Sequence, residues 1–182
     1  MDAERELITR CLNRDPEAEH QFYQWFSNKM FGICKRYGAD TLEAEDLLHE
    51  GFIRVFYGLP YFRFEGSLEA WVRRTIINSI TNQKKKYLKF QAEVELDCVN
   101  DEELLCCNIL DDLSKDDLCA ILNVMPAGYR TVFNLVVIDG YSHSETSSML
   151  GISENASRAN LSRAKAWIRN RPILMNKLGL NI

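Results

Sequence analysis

Apolar positions along the chain recur at intervals of three and four, the period of an amphipathic helix, and each such run is framed by helix caps and stops. The best-marked run spans Asp40 to Tyr57. Asp40 with Glu43 three residues later is a capping-box-like start, Gly38 suits the end of a preceding helix, and the helix is expected from about Thr41. Ala44, Leu47, Leu48, Gly51, Phe52, Val55 and Phe56 make one buried stripe, and Gly58 with Pro60 stops it. Before it, a helix is expected from Glu4 to Leu12. Asp15 and Pro16 then start another to Tyr37, with Phe22, Phe26, Met30, Ile33 and Tyr37 inward. After it, Ser67 caps a long helix whose Leu68, Trp71, Val72, Thr75, Ile76 and Ile80 are available to a core.

The period fails from Gln91 to Asp112, an acidic stretch read as an interdomain linker, with a short helix around Glu102 to Ile109. Ser114 and Asp117 restart helix, carrying Leu118, Ile121, Leu122 and Met125 until Pro126 ends it. A helix from about Ala127 to Ile138 turns Val132, Phe133, Leu135 and Val136 inward. Ser142 caps a short helix to Leu150, Gly151 makes a turn, and Ser153 caps a last helix to about Asn170. Two helices joined by a tight glycine turn form a helix-turn-helix, whose second member lies in the major groove of DNA. The expected fold is all-α: two small helical domains, residues 1–89 and 114–182, joined by an acidic linker at 90–113, with the helix-turn-helix in the second.

The polar faces separate these helices by task. Opposite the buried stripe of the Asp40 helix stand Glu45, Asp46, His49, Glu50 and Ile53. An acidic face alone suits solvent, whereas an isoleucine one turn from His49 and Glu50 suits docking. Tyr61, Phe62, Arg63 and Phe64 make the following connection either a hydrophobic anchor for its neighbours or a loop that stacks unpaired bases. On the long helix Arg73, Arg74, Asn78, Asn82 and Lys84, Lys85 and Lys86 offer cations and amides to a phosphate backbone. In the last helix Ser157, Leu161, Ala164 and Ile168 share the inward face, which turns Asn155, Arg158, Ala159, Ser162 and Arg163 outward. Arg158, near the helix start, can reach a base edge, while Arg163, Lys165 and Arg169 suit phosphates.

Charge changes the picture once it is resolved along the chain. The total is -4, but residues 1–66 carry -4, 67–90 carry +5, 91–125 carry -9 and 126–182 carry +4. Two basic segments therefore flank an acidic one, a pattern for nucleic acid that the total conceals. Six cysteines show no C-x-x-C pair or His-rich spacing and read as free thiols, so no metal is expected. The start, MDAERELITR, lacks the basic region and apolar core of a signal peptide, and no apolar run suffices for membrane insertion; a cytoplasmic location is expected. No paired carboxylates in a glycine-framed pocket, nucleophile motif or phosphate loop marks an enzyme or a cofactor site. His143 and Glu145 are close in sequence, where capping and surface roles suffice.

In this order the pieces resemble an extracytoplasmic-function sigma factor of the sigma-70 family, over roughly residues 10–88 and 114–171. AEDLLHEGFIRVF is similar to the family's core-binding motif, and GSLEAWVRRTIINSITNQKKK to its Trp-centred helix with a downstream Asn. MPAGYRTVFNLVVIDGYSHSETSSMLGISENASRANLSRAKAWI follows the family's Leu-Pro, Arg-x-Val-Phe, Gly-Tyr-Ser, Leu-Gly-Ile-Ser and Leu-Ser-Arg-Ala order. The resemblance implies binding of core RNA polymerase through Asp46, His49, Glu50 and Ile53. It implies minus-10 promoter DNA at Tyr61, Phe62, Arg63, Phe64, Arg73, Arg74, Asn78, Lys84 and Lys85, and minus-35 DNA at Asn155, Arg158, Ala159, Ser162, Arg163 and Lys165. It further implies passage of the acidic linker through the polymerase, and an anti-sigma factor as a partner that nothing in the sequence identifies.

Several positions depart from the family pattern. His49 stands in place of Gln, Thr146, Ser147 and Ser148 replace Ile-Ala and the next residue, and Ser157 replaces an apolar residue. Buried hydroxyls of this kind cost stability unless they are bonded. The competing function is a stand-alone helix-turn-helix repressor or activator, which leaves the Asp46 face and the Trp71 helix without a task.

Overall fold

A computed structural model describes residues 2–94 and 115–170, and among them every regular element is helical. The chain divides into two compact units after Ile80, residues 1–80 and 81–182. In chain order α1 is Asp2–Leu12, α2 Pro16–Tyr37, α3 Thr41–Gly58, and a 3-10 turn follows at Leu59–Tyr61. Helix α4 spans Leu68–Val94, α5 Lys115–Asn123 and α6 Ala127–Phe133. A π-helical turn at Asn134–Ile138 continues α6, and α7, His143–Leu150, and α8, Glu154–Arg169, close the described chain.

The helix starts follow from their caps. The Asp15 carboxylate accepts from the Glu17 and Ala18 amides with Pro16 at the first helical position, and Arg10 of α1 grips the same carboxylate at 2.7 Å. That hydrogen bond from Arg10 is the first cause holding the Asp15 carboxyl below the usual range. Asp40 accepts from the Glu43 amide at 2.8 Å, while the Glu43 carboxylate reaches back one residue further than a capping box, to the Ala39 amide.

In the first unit the expected stripes meet. Phe22, Phe26, Met30, Ile33 and Tyr37 of α2 are buried with Ala44, Leu47, Leu48, Phe52 and Val55 of α3, and with Leu68, Val72, Ile76 and Ile80 of α4. Phe22 is in ring contact with both Phe26 and Phe56, at 5.0 and 5.5 Å. Gly51 belongs to this stripe for a steric reason: a Cβ there would lie 2.9 Å from Cγ1 of Ile76, so its absence lets α4 approach α3.

In the second unit Ile121, Leu122 and Met125 of α5 are buried, as are Val132, Phe133 and Leu135 around the end of α6 and Leu150, Leu161 and Ala164 of α7 and α8. The expected single helix to Ile138 changes pitch at Asn134, where the Asp139 amide bonds back five residues to the Asn134 carbonyl at 2.8 Å. The extra residue in that turn leaves Val136 half-buried. Helix α4 continues through Gln91 to Val94, where the hydrophobic period had already failed, since Gln, Ala and Glu are all strong helix formers. The rest of the linker, its expected helix at 102–109, and Ser114 lie outside the described residues.

Candidate nucleic-acid and partner interfaces

Four residues expected on the docking face, Asp46, His49, Glu50 and Ile53, are all exposed on α3, and Ile53 is 48% exposed among carboxylates. The same helix leaves Leu42 and Tyr57 exposed, two apolar positions that the sequence pattern assigned to neither face. A cleft between α2 and α3 is lined by Tyr23, Asn28, Phe31, Glu45, Leu48 and His49. The α2 contribution was missed, although Tyr23, Ser27 and Phe31 recur at intervals of four beside the core stripe.

The aromatic connection is half anchor and half open. The Phe62 ring lies 5.2 Å from that of Trp71 and 5.0 Å from that of Phe64, so it is half-buried and fixes the loop to α4. Tyr61 is 82% exposed, and Arg63 and Phe64 are also open to solvent. Phe64 has a φ of 58° and Gly66 one of 100°. The left-handed region costs an L residue roughly 1–2 kcal/mol. At Phe64 two contacts offset that cost, the Phe62 ring and the guanidinium of Arg5, which sits 5.0 Å from the Phe64 centroid. The contact from α1 was invisible in the sequence because it joins residues 59 positions apart.

On α4 the Ser67 hydroxyl accepts from the Ala70 amide, and Arg73, Arg74 and Asn78 lie exposed beyond that first turn. Lys84 and Lys85 are half-buried.

The helix-turn-helix is built from three local devices. Ser142 and Glu145 form a reciprocal capping box at α7, Gly151 adopts a φ of 67° that few other residues tolerate, and Ser153 accepts from the Ala156 amide to start α8. Asn155 and Arg158 are exposed, with Arg158 3.5 Å from Glu154, while Ser162, Arg163 and Lys165 are half-buried. Ala159 corrects the sequence reading: it is 8% exposed rather than outward. Helix α8 packs on both α6 and α7, which widens its buried arc, and a one-carbon side chain lies below the neighbours a turn away at Asn155, Ser162 and Arg163.

Of the residues that depart from the family pattern, Ser147 is half-buried and Ser148 exposed, not buried as expected, and both donate to the Ser144 carbonyl, at 2.8 and 3.1 Å. Thr146 is buried, and its hydroxyl has no hydrogen-bond partner among the described residues. Ser157 is fully buried and bonded, 2.9 Å from Nδ1 of His143. His143 is thus half-buried against α8 and not the surface residue expected; burial, then the charge of Arg158, lowers its pKa from the ordinary 6.5.

Among the described residues no group of three or more His, Cys, Asp or Glu side chains converges as a metal site, and no helix is long and apolar enough to cross a membrane. Cys11 and Cys34 are buried thiols, and burial pushes Cys34 up to about 12. Cys98, Cys106 and Cys107 lie outside the described residues.

Comparison with known proteins places both units. The family model "Sigma-70 region 2" matches residues 22–89 and "Sigma-70, region 4" matches residues 115–168. The chain is 26% identical over 148 residues to the ECF RNA polymerase sigma factor SigE of Mycolicibacterium smegmatis, a match that covers 79% of this chain and 57% of that relative. It is 23% identical over 178 residues to ECF RNA polymerase sigma factor SigW of Bacillus subtilis, covering 92% of this chain and 95% of the relative. Among solved structures it is similar in fold to the sigma factor RpoE of Bartonella quintana, crystallised with the anti-sigma factor NepR, at a TM-score of 0.50 and 18% identity over 90% of this chain and 98% of that one.

Proposed function

Because the chain belongs to the sigma-70 family, in its extracytoplasmic-function branch, we propose that it is an alternative sigma factor with the labour divided between its two helical units. It binds core RNA polymerase, directs it to specific promoters and helps open the minus-10 element. It does so in the cytoplasm and without a reaction of its own.

In this reading residues 1–89 form the polymerase-binding and minus-10 domain, 90–113 the acidic linker and 114–182 the minus-35 domain. Asp46, His49, Glu50 and Ile53 meet the polymerase. Tyr61, Arg63 and Phe64, with Phe62 as their anchor, take a base out of the opened duplex, while Arg73, Arg74, Asn78, Lys84 and Lys85 hold its backbone. Arg158 reads the minus-35 element, Asn155, Ser162, Arg163 and Lys165 contact it around that residue, and buried Ala159 supports the helix from beneath. The observation that carries the assignment is an exposed acidic face with Ile53 at its centre, in the same chain as a capped helix-turn-helix. A stand-alone repressor needs only the second of these. An anti-sigma factor is the natural regulator of such a chain, by analogy with the complexed relative.

Run-off transcription with purified core polymerase on a genomic fragment library tests the proposal. Initiation at a small set of promoters, dependent on added chain, is the expected result. Binding to DNA fragments without initiation would favour the repressor.

A further inference from the structure

We propose that His143 and Ser157 form a polar latch between the first turns of α7 and α8, and that His143 is thereby a positioning residue for Arg158. This deepens the reading of α8 as the minus-35 helix and rests on it.

Ser157 sits in the first turns of α8 with no exposed surface, in the row it shares with Leu161 and Ala164. A helical serine commonly satisfies its hydroxyl on the carbonyl four residues back. Here the hydroxyl lies 2.9 Å from Nδ1 of His143, fourteen residues away across the Gly151 turn. His143 is the first residue of α7, and the Ser142–Glu145 capping box fixes the backbone from which its ring projects. Helix α8 has its own cap at Ser153. Each N-terminal turn is therefore set locally, and the imidazole–hydroxyl contact sets one turn against the other.

Arg158 is the next residue after Ser157 and lies exposed, paired with Glu154 at 3.5 Å. A rotation of α8 by roughly 10° displaces a point on its surface by about 1 Å, a large error for a bidentate contact to a base. Leucine and alanine contacts beneath α8 resist separation of the helices but restrain rotation weakly, because apolar packing is non-directional. A hydrogen bond at the position adjoining Arg158 restrains it directly. Burial supports the same geometry: it disfavours the imidazolium, Arg158 and Lys165 add to that and Glu154 opposes it, so the ring next to Ser157 is held toward its neutral form.

The test uses holoenzyme reconstituted from core polymerase and the full chain, on promoters captured by the wild-type holoenzyme and on single-base variants of their minus-35 elements. Ser157→Ala and His143→Gln, whose amide reaches the Nε2 position instead of Nδ1, are expected to lower discrimination among these promoters by about two- to tenfold. His143→Asn, whose amide overlays Nδ1, is expected to restore it, and core binding is expected to stay unchanged in all three. In the free chain, Ser157→Ala should also move the imidazole nitrogen resonances of His143. Unchanged discrimination in Ser157→Ala and His143→Gln, or equal losses in His143→Asn and His143→Gln, overturns the latch. Arg158→Ala separates the two levels: if it loses discrimination while the latch variants do not, the latch alone fails, and if it retains discrimination the minus-35 reading of α8 fails as well. Should Ser157→Ala lose its far-ultraviolet circular dichroism, the two His143 variants, which keep the serine, decide the outcome.

Discussion

At Arg158 a single side chain joins sequence reasoning to a measurable quantity. It is exposed in the second turn of α8, and Glu154, with which it pairs, is also exposed. An exposed pair of this kind is worth little, so the guanidinium is cheaply released to a base. Arg158→Ala is expected to cost roughly 1–3 kcal/mol at the cognate promoter and to relax base preference at one position. Equal loss on every sequence, measured by competition among promoter variants, would make it a phosphate contact. The neighbouring His143 supplies a pH dependence. Its pKa is lowered in the folded chain, so the unfolded chain binds the proton more tightly and stability rises with pH. The contribution is complete above the unfolded value near 6.5 and declines as pH falls through 6.5 toward the lowered folded value. Burial of the ring is the main cause of that decline, Arg158 and Lys165 deepen it and Glu154 moderates it. Thermal melts of the wild type and of His143→Asn at pH 7.5 and 5.5 should diverge, with the wild type losing more on acidification.

At the scale of elements, α3 has a buried face and an open acidic face, and each makes its own prediction. Gly51→Val places carbon 2.9 Å from Cγ1 and 3.4 Å from Cβ of Ile76, a fully buried β-branched side chain, so Ile76 or the α3–α4 spacing must give. A loss of about 1–3 kcal/mol, read as a lower thermal midpoint, is expected. Glu50→Arg lies on the open face and should leave the far-ultraviolet circular dichroism unchanged while abolishing binding to core polymerase; retained binding would remove α3 from the docking surface. These elements were legible in the sequence because caps and stripes are local: Asp15, Asp40, Ser142 and Ser153 mark starts that side-chain hydrogen bonds make. What escaped was set by tertiary contact. The π turn at Asn134–Ile138 has no composition of its own, Ala159 is buried by the packing of two helices on α8, and neither Arg5 on Phe64 nor His143 on Ser157 follows from spacing along one helix.

For the whole molecule, the order of charge matters more than its sum. Residues 67–90 and 126–182 carry +5 and +4, yet 91–125 carry -9, so the basic surfaces that suit DNA are tied to an acidic segment of the same chain. Acidic groups on one chain compete with phosphates for its cations, and binding to arbitrary duplex rises when they are removed. Changing the Asp and Glu residues within 90–113 to Asn and Gln is therefore expected to strengthen binding of the free chain to a non-cognate duplex and to steepen its fall with salt. Fluorescence anisotropy between 50 and 200 mM salt, a range over which a few phosphate contacts change affinity by orders of magnitude, measures both effects. With arbitrary duplex present, initiation from free chain and core polymerase should fall, because chain sequestered on that DNA no longer reaches the polymerase. If neither the affinity nor the salt slope of the free chain changes, the acidic segment does not screen the basic ones, and its charge acts only within the polymerase.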